Sequence, residues 1–183
     1  MDEVRTIDQM MQWRDGVSES MARHRSLVLR ATDASEDAGA RFVGKTAAEV
    51  RQYFEALRLE TDRFVVLGLI AAGEAVVRRD YDRRVGRPGR KLKDVLSAAY
   101  RLFHGELGAS QKERPPFDKG GILDELKAAN VIDNQIVGRF RECLPARHWV
   151  AHGRYDDRPE AVDRFPPEVV YERVDALIRA LPA

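Results

Sequence analysis

The stretch from Thr46 to about Tyr81 restricts the fold more than any other part of the sequence. Val50, Tyr53, Leu57, Thr61, Phe64, Gly68, Ala71 and Ala75 recur at helical spacing. Thr46-Ala-Ala-Glu49 has the spacing of a capping box, in which hydroxyl and carboxylate each satisfy a backbone N–H that the first turn leaves free. Uninterrupted, such a helix would run about 54 Å at 1.5 Å per residue. The sequence also allows a break near Thr61. From Phe64 to Val77 the segment is apolar all round except for Glu74, which places it at the centre of a helical bundle. It is shorter than a membrane span, and Glu74 interrupts it.

The remaining segments can build that bundle. Met10, Trp13, Val17, His24 and Leu27, flanked by Val4, Ile7, Met11, Met21 and Val28, give a first long helix with a broad apolar face. Ala31 to Lys45 is small and polar and reads as a loop. Gly86 to Arg90 reads as a turn. Leu92, Val95, Leu96, Ala99, Leu102 and Phe103 make a third amphipathic helix. Gly108 to Gly121, with Pro115 and Pro116, is the longest break, and a short helix from Ile122 to Asn130 follows it. Asp133 can cap a helix carrying Ile136, Val137, Phe140 and Leu144. Pro145 must kink that helix or begin another, since it has no N–H to donate. Pro166 and Pro167 precede a last helix with Val169, Val170, Val174, Leu177 and Ile178. No strand alternation stands out, so the sequence predicts a single all-α domain over residues 1–183, a bundle of five to seven helices.

Composition narrows the setting. Hydrophobic residues at 44% suffice for one core, and 31 basic against 30 acidic residues exclude a protein coated in positive charge. The single cysteine, Cys143, excludes an internal disulfide framework. Met1 to Met11 carries Asp2, Glu3 and Asp8 and lacks the apolar core of a secretory signal. These features lead us to expect a cytoplasmic protein with no membrane association.

The chemistry-bearing segment is Arg147-His148-Trp149-Val150-Ala151-His152-Gly153-Arg154-Tyr155. Arg147 and His152 lie five residues apart and so differ by about 140° in azimuth on a regular helix. They could flank a groove or a two-fold interface without sharing a face. An arginine fork suits phosphate oxygens, and an imidazole moves protons near neutral pH, a pairing fit for phosphodiester cleavage.

This segment resembles the Arg-x4-6-His motif of the HEPN superfamily, and the long helix containing LETDRFVVLGLIAAGEAVVRRDYDRRV is similar to the central helix of its bundles. The resemblance covers most of the chain in architecture and about a dozen residues in specific sequence. It implies a HEPN-like, metal-independent endoribonuclease, without cofactor, of the kind found in toxin–antitoxin, phage-defence or RNA-processing systems. It also implies a homodimer in which two Arg–His pairs share one cleft. Arg147 would hold the scissile phosphate and His152 would act as base or acid at the ribose 2′-hydroxyl. The products would be a 2′,3′-cyclic phosphate and a 5′-hydroxyl. Some toxin members carry a tyrosine two residues after the histidine, to which a nucleotidyltransferase antitoxin attaches AMP; here Arg154 stands there and Tyr155 follows it. The superfamily also holds non-catalytic modules that bind RNA, nucleotide or a protein partner.

Other residues could support the pair. Glu74, if buried, needs a cationic partner, and an arginine from the motif helix would serve to orient Arg147. Residues 78–93 carry a net charge of +6, and Arg78, Arg79, Arg83 and Arg84, with Tyr81 for stacking, could track an RNA backbone. His148 can cap or hydrogen-bond. With His152 it forms an i,i+4 pair that could hold a metal, but no Glu follows His148 in the zinc-protease pattern, and Asp156 and Asp157 read more simply as loop residues. Trp149 and Val150 read as core. Gly39 to Thr46 matches the phosphate-binding loop pattern, but no apolar strand precedes it, and Thr46 is better explained as the helix cap.

Overall fold

In the computed structural model the described residues are 6–30, 40–86, 94–153 and 157–182. They form α1 (Ile7–Arg30), a 3-10 turn (Ala40–Phe42), α2 (Ala47–Val85), α3 (Val95–Glu106), α4 (Ala109–Glu113), α5 (Ile122–Ala128), α6 (Asn134–Arg141), α7 (Leu144–Ala151), α8 (Glu160–Arg164) and α9 (Pro167–Ala180). No strand occurs among the described residues, and the all-α bundle is what the sequence pattern predicts. Helices α4 and α8 have only five residues each, so seven longer helices carry the architecture. Among the described residues no helix is long and apolar enough to cross a membrane.

Helix α2 is the axis of the molecule. It opens on the capping box: Glu49 N–H donates to Thr46 Oγ1 at 3.2 Å and Thr46 N–H donates to Glu49 Oε2 at 2.7 Å. It then runs without a break for 39 residues, about 58 Å. At Thr61 the hydroxyl donates to Leu57 O at 2.9 Å while the helix continues. The helix passes Tyr81 and ends at Gly86, whose N–H donates to Asp82 O. Its C-terminal half is wrapped by α3, α7 and α9, while α1 lies along it and also touches α9.

Two cores result. The main one gathers Leu69, Ile70, Val77 and Tyr81 of α2 with Leu96 and Tyr100, Leu123 and Leu126, Val137 and Phe140, and Val174 and Leu177. Gly73 lets α6 and α9 approach, since a Cβ there would meet Phe140 and Val174 side chains at 3.0 Å. A smaller core of Val28, Val50 and Phe54, with Met21, Leu29 and Phe42 packed on it, closes the other end, where α1 and α2 run as a two-helix arm.

That arm explains where the sequence pattern overreached. Helix α1 buries only Ile7 and Val28, and Trp13 and Leu27 remain 44% and 62% exposed. One neighbouring helix cannot cover so broad an apolar face. Ionic contacts also fasten α1: Arg14 reaches Asp62 of α2 at 2.8 Å and Glu168 of α9. On α3, Val95 and Leu102 face outward in the same way, while Leu96, Tyr100 and Phe103 point inward. The stretch from Gly108 to Gly121, read as a break, contains the single turn α4. Pro145 begins α7 instead of kinking α6, with Cys143 as the cap residue.

Candidate functional site

Helix α7 carries the motif and packs on α2. Glu142 and Cys143 end α6, and Pro145 in the first turn of α7 costs no hydrogen bond because that N–H would be unpaired anyway. At the other end His152 is the cap residue. Its N–H donates to His148 O at 3.0 Å, and Gly153 then leaves the helix with φ +81°. Arg147 thus lies within a short helix and His152 at its cap, just past the last helical residue.

Arg147 turns toward α2, and its Nη2 lies 3.1 Å from Glu74 Oε2. The other oxygen, Oε1, accepts from Arg78 Nε at 2.9 Å. Glu74, the lone charge of the apolar stretch, is thus mostly buried with a guanidinium on each oxygen, as its desolvation demands. Arg78 is also tied down by Pro115 O at 2.9 Å and lies 5.0 Å over the Phe117 ring. Arg147 has no other acidic partner among the described residues and stays partly exposed.

These groups border a cleft of about 360 Å³ between α2 and the α4–α5 connection. Its charged lining is Glu74, Arg78, Asp82, Glu113, Arg114 and Arg147. Sequence reasoning missed Arg114. Its signal was a basic residue immediately before the Pro115-Pro116 break, which returns the chain to α2. His152 is not part of this lining. It lies exposed at the end of α7, its ring parallel to that of His148 (13° between planes) at 5.7 Å. The structure brings Glu74 and Arg147 together and sets His148 and His152 side by side, one turn of helix apart. Arg154 and Tyr155 lie outside the described residues. Trp149 and Val150, expected in the core, are half-buried, and Trp149 instead faces the Arg63 guanidinium at 5.7 Å. Helix α7 is only eight residues long, and His148, Ala151 and His152 at its end are exposed.

The basic segment divides between surface and interior. Arg84 is fully buried: Nε donates to Asp80 at 2.7 Å, Nη1 to Asp94 at 3.0 Å, and Nη2 to Pro182 O. It fastens the ends of α2, α3 and α9 and cannot meet RNA. Tyr81 is also buried, its hydroxyl 2.9 Å from His104 Nδ1, so it offers no stacking face. Burial, helped by Asp82 and Glu125, pushes its phenol up to about 12. The reason is geometric, since positions 77, 81 and 84 share the inward side of α2. Arg83 pairs with Asp80 at 2.6 Å but keeps an exposed side chain, and Arg79 is exposed with Nε on Ala75 O. Residues 87–93, which hold the rest of the positive charge, lie outside the described residues. Thr46 and Lys45 of the phosphate-loop pattern are both engaged with Glu49. Among the described residues no group of three or more His, Cys, Asp or Glu is placed to hold a metal ion.

The site and fold define an all-α protein with an arginine–carboxylate pair at a charged cleft and a histidine pair at the end of the same helix. Compared with protein families, with curated proteins and with solved structures, the chain matches none.

Proposed function

We propose that the chain is a metal-independent endoribonuclease of the HEPN kind, with Arg147 and His152 as its catalytic residues. The observation that carries this reading is the Arg147 guanidinium, held by Glu74 at the rim of a charged cleft on the helix that ends in exposed His152. A fork held on one side, with no other acidic partner among the described residues, is prepared for a phosphate. In the reaction His152 takes the 2′-hydroxyl proton, the 2′-oxygen attacks phosphorus, and the bond to the 5′-oxygen breaks as that oxygen gains a proton. The products are a 2′,3′-cyclic phosphate and a 5′-hydroxyl. Exposed Arg79 and Arg83, with Arg114, supply cations along which a strand can lie. His152 lies outside the cleft lining, so a homodimer that sets the His152 of one copy beside the Arg147 of the other belongs to this reading. So does control by a nucleotidyltransferase-type antitoxin in a toxin–antitoxin or phage-defence pair.

The test is cleavage of end-labelled RNA in EDTA by the native chain, Arg147→Ala and His152→Ala, with thermal melts confirming that each is folded. Each substitution should lower the rate by about 100-fold or more. Equal rates in all three would defeat the assignment, and a strict metal requirement would redirect it. One observation favours a non-catalytic RNA-, nucleotide- or protein-binding module instead: the cleft lining holds as many acids as arginines, so its charge is already balanced. RNA retention without cleavage is the result that reading predicts.

A further inference from the structure

Leu57 on the α1–α2 arm is separated from Glu74 by about 26 Å of α2. There a second concavity, of about 620 Å³, opens between α1 and the N-terminal half of α2. Its walls are aromatic. Phe42 stacks on Phe54 at 5.7 Å, Tyr53 meets both edge-on at 5.2 and 5.4 Å, and His24 meets Phe54 at 5.3 Å. Phe54 is buried, whereas Trp13 and Tyr53 stand open at the rim. Among the described residues, and apart from its chain neighbours and the nearby backbone of its own helix, no heavy atom lies within 4 Å of where a Cβ on Gly16 would stand, so they leave the α1 side unfilled.

The polar lining is Gln12, Ser20, His24 and Tyr53 with one arginine, Arg41. Among the described residues no acidic side chain lines the groove. Arg41 lies 5.8 Å from the Tyr53 ring centre, its Nη1 donates to Tyr53 Oη at 2.6 Å, and it makes no ion pair among the described residues. A volume in the range of small-molecule sites, apolar walls and, at the edge, a fork with no ion pair among the described residues are the marks of a site for an amphipathic ligand. We propose that this groove binds a small organic anion, with a flat apolar body between Trp13 and the Phe42–Phe54 pair and a carboxylate or sulfonate on Arg41. This site does not depend on the ribonuclease reading.

The experiment uses the full chain carrying Trp149→Phe, so that Trp13 is the only tryptophan, titrated with 8-anilinonaphthalene-1-sulfonate. The expected result is one saturable site whose occupation quenches Trp13 in step with the rise in probe emission. Gly16→Leu, which fills the groove and favours the helix, should weaken binding more than tenfold. Arg41→Gln should weaken it about tenfold, the loss of one charge-assisted contact. The uncharged probe N-phenyl-1-naphthylamine should bind more weakly and ignore Arg41→Gln. Binding that does not saturate, or that Gly16→Leu leaves intact, overturns the site. Equal affinity in Arg41→Gln overturns the anion. A native chain that excludes the probe and forms a dimer that Gly16→Leu dissociates also overturns the proposal, because a second copy would then be the occupant.

Discussion

Replacing Arg84 by methionine separates a structural arginine from an RNA-binding one. In the native chain its guanidinium is fully buried and spends its N–H groups on Asp80, Asp94, Ser97 and Pro182 O. Burial opposes the charge, but the Asp80 hydrogen bond and the charges of Asp80 and Asp94 outweigh it and raise the arginine's pKa. Methionine fills similar space, so the cost comes from the acids left behind. Removing one partner of a buried pair costs about 3–5 kcal/mol. The lower end applies here: Asp80 keeps Arg83, Asp94 keeps the Ser97 N–H, and solvent screens part of the Asp94 contribution. At about 2–4 °C per kcal/mol for a chain of this size, a loss of about 3 kcal/mol lowers Tm by about 6–12 °C. Circular dichroism melts measure this. RNA affinity and its salt dependence, taken where both proteins are folded, should not change. A melt within about 2 °C of native together with weaker RNA binding would refute the reasoning.

Four further outcomes are expected. Gly73→Ala, whose new methyl meets Phe140 and Val174 at 3.0 Å, should cost about 1–3 kcal/mol in denaturant unfolding. Gly16→Ala, with open space above it, should gain about 0.5–1 kcal/mol in the same assay. At alkaline pH the Tyr81 phenol keeps its proton in the folded chain up to about 12, while an unfolded tyrosine loses it near about 10. The folded state thus binds more protons in that window, and stability should fall as pH rises from about 10 to about 12; a flat profile in melts across that window contradicts it. On the ribonuclease reading, Glu74→Gln frees Arg147 without removing it and should lower kcat by about 10–100-fold with KM little changed; an equal rise in KM would make Glu74 a binding group.

What the sequence revealed follows the range of the forces involved. The capping box is local, needing only Thr46 and Glu49 three residues apart, and it stands as its spacing predicts. The buried run of α2 was legible in part: an apolar helix belongs at the centre of a bundle, and Val65, Val66, Leu69, Ile70 and Val77 are buried there, but Phe64, 55% exposed, and Ala71 face outward. That Glu74 needs a cation follows from desolvation alone, and Arg147 supplies it, but that Arg78 takes the second oxygen depends on how α2 carries its own i,i+4 pair. At Arg84 and Tyr81 the positive charge counted between 78 and 93 misled, because charge counts ignore azimuth. Arg84 and Tyr81 face inward, and only long-range partners, Asp94 and His104 among them, make that burial tolerable. The groove beside Trp13 was invisible for a related reason. Periodicity shows that a face is apolar, not whether a neighbour reaches it.

The most direct measurement uses a labelled oligodeoxynucleotide containing a single ribonucleotide, incubated with the chain in EDTA. Cleavage is expected only at that residue, leaving a 2′,3′-cyclic phosphate on one fragment and a 5′-hydroxyl on the other, with the activity lost in His152→Ala. An intact oligonucleotide alongside intact all-RNA controls, or the same cleavage by His152→Ala, would contradict it.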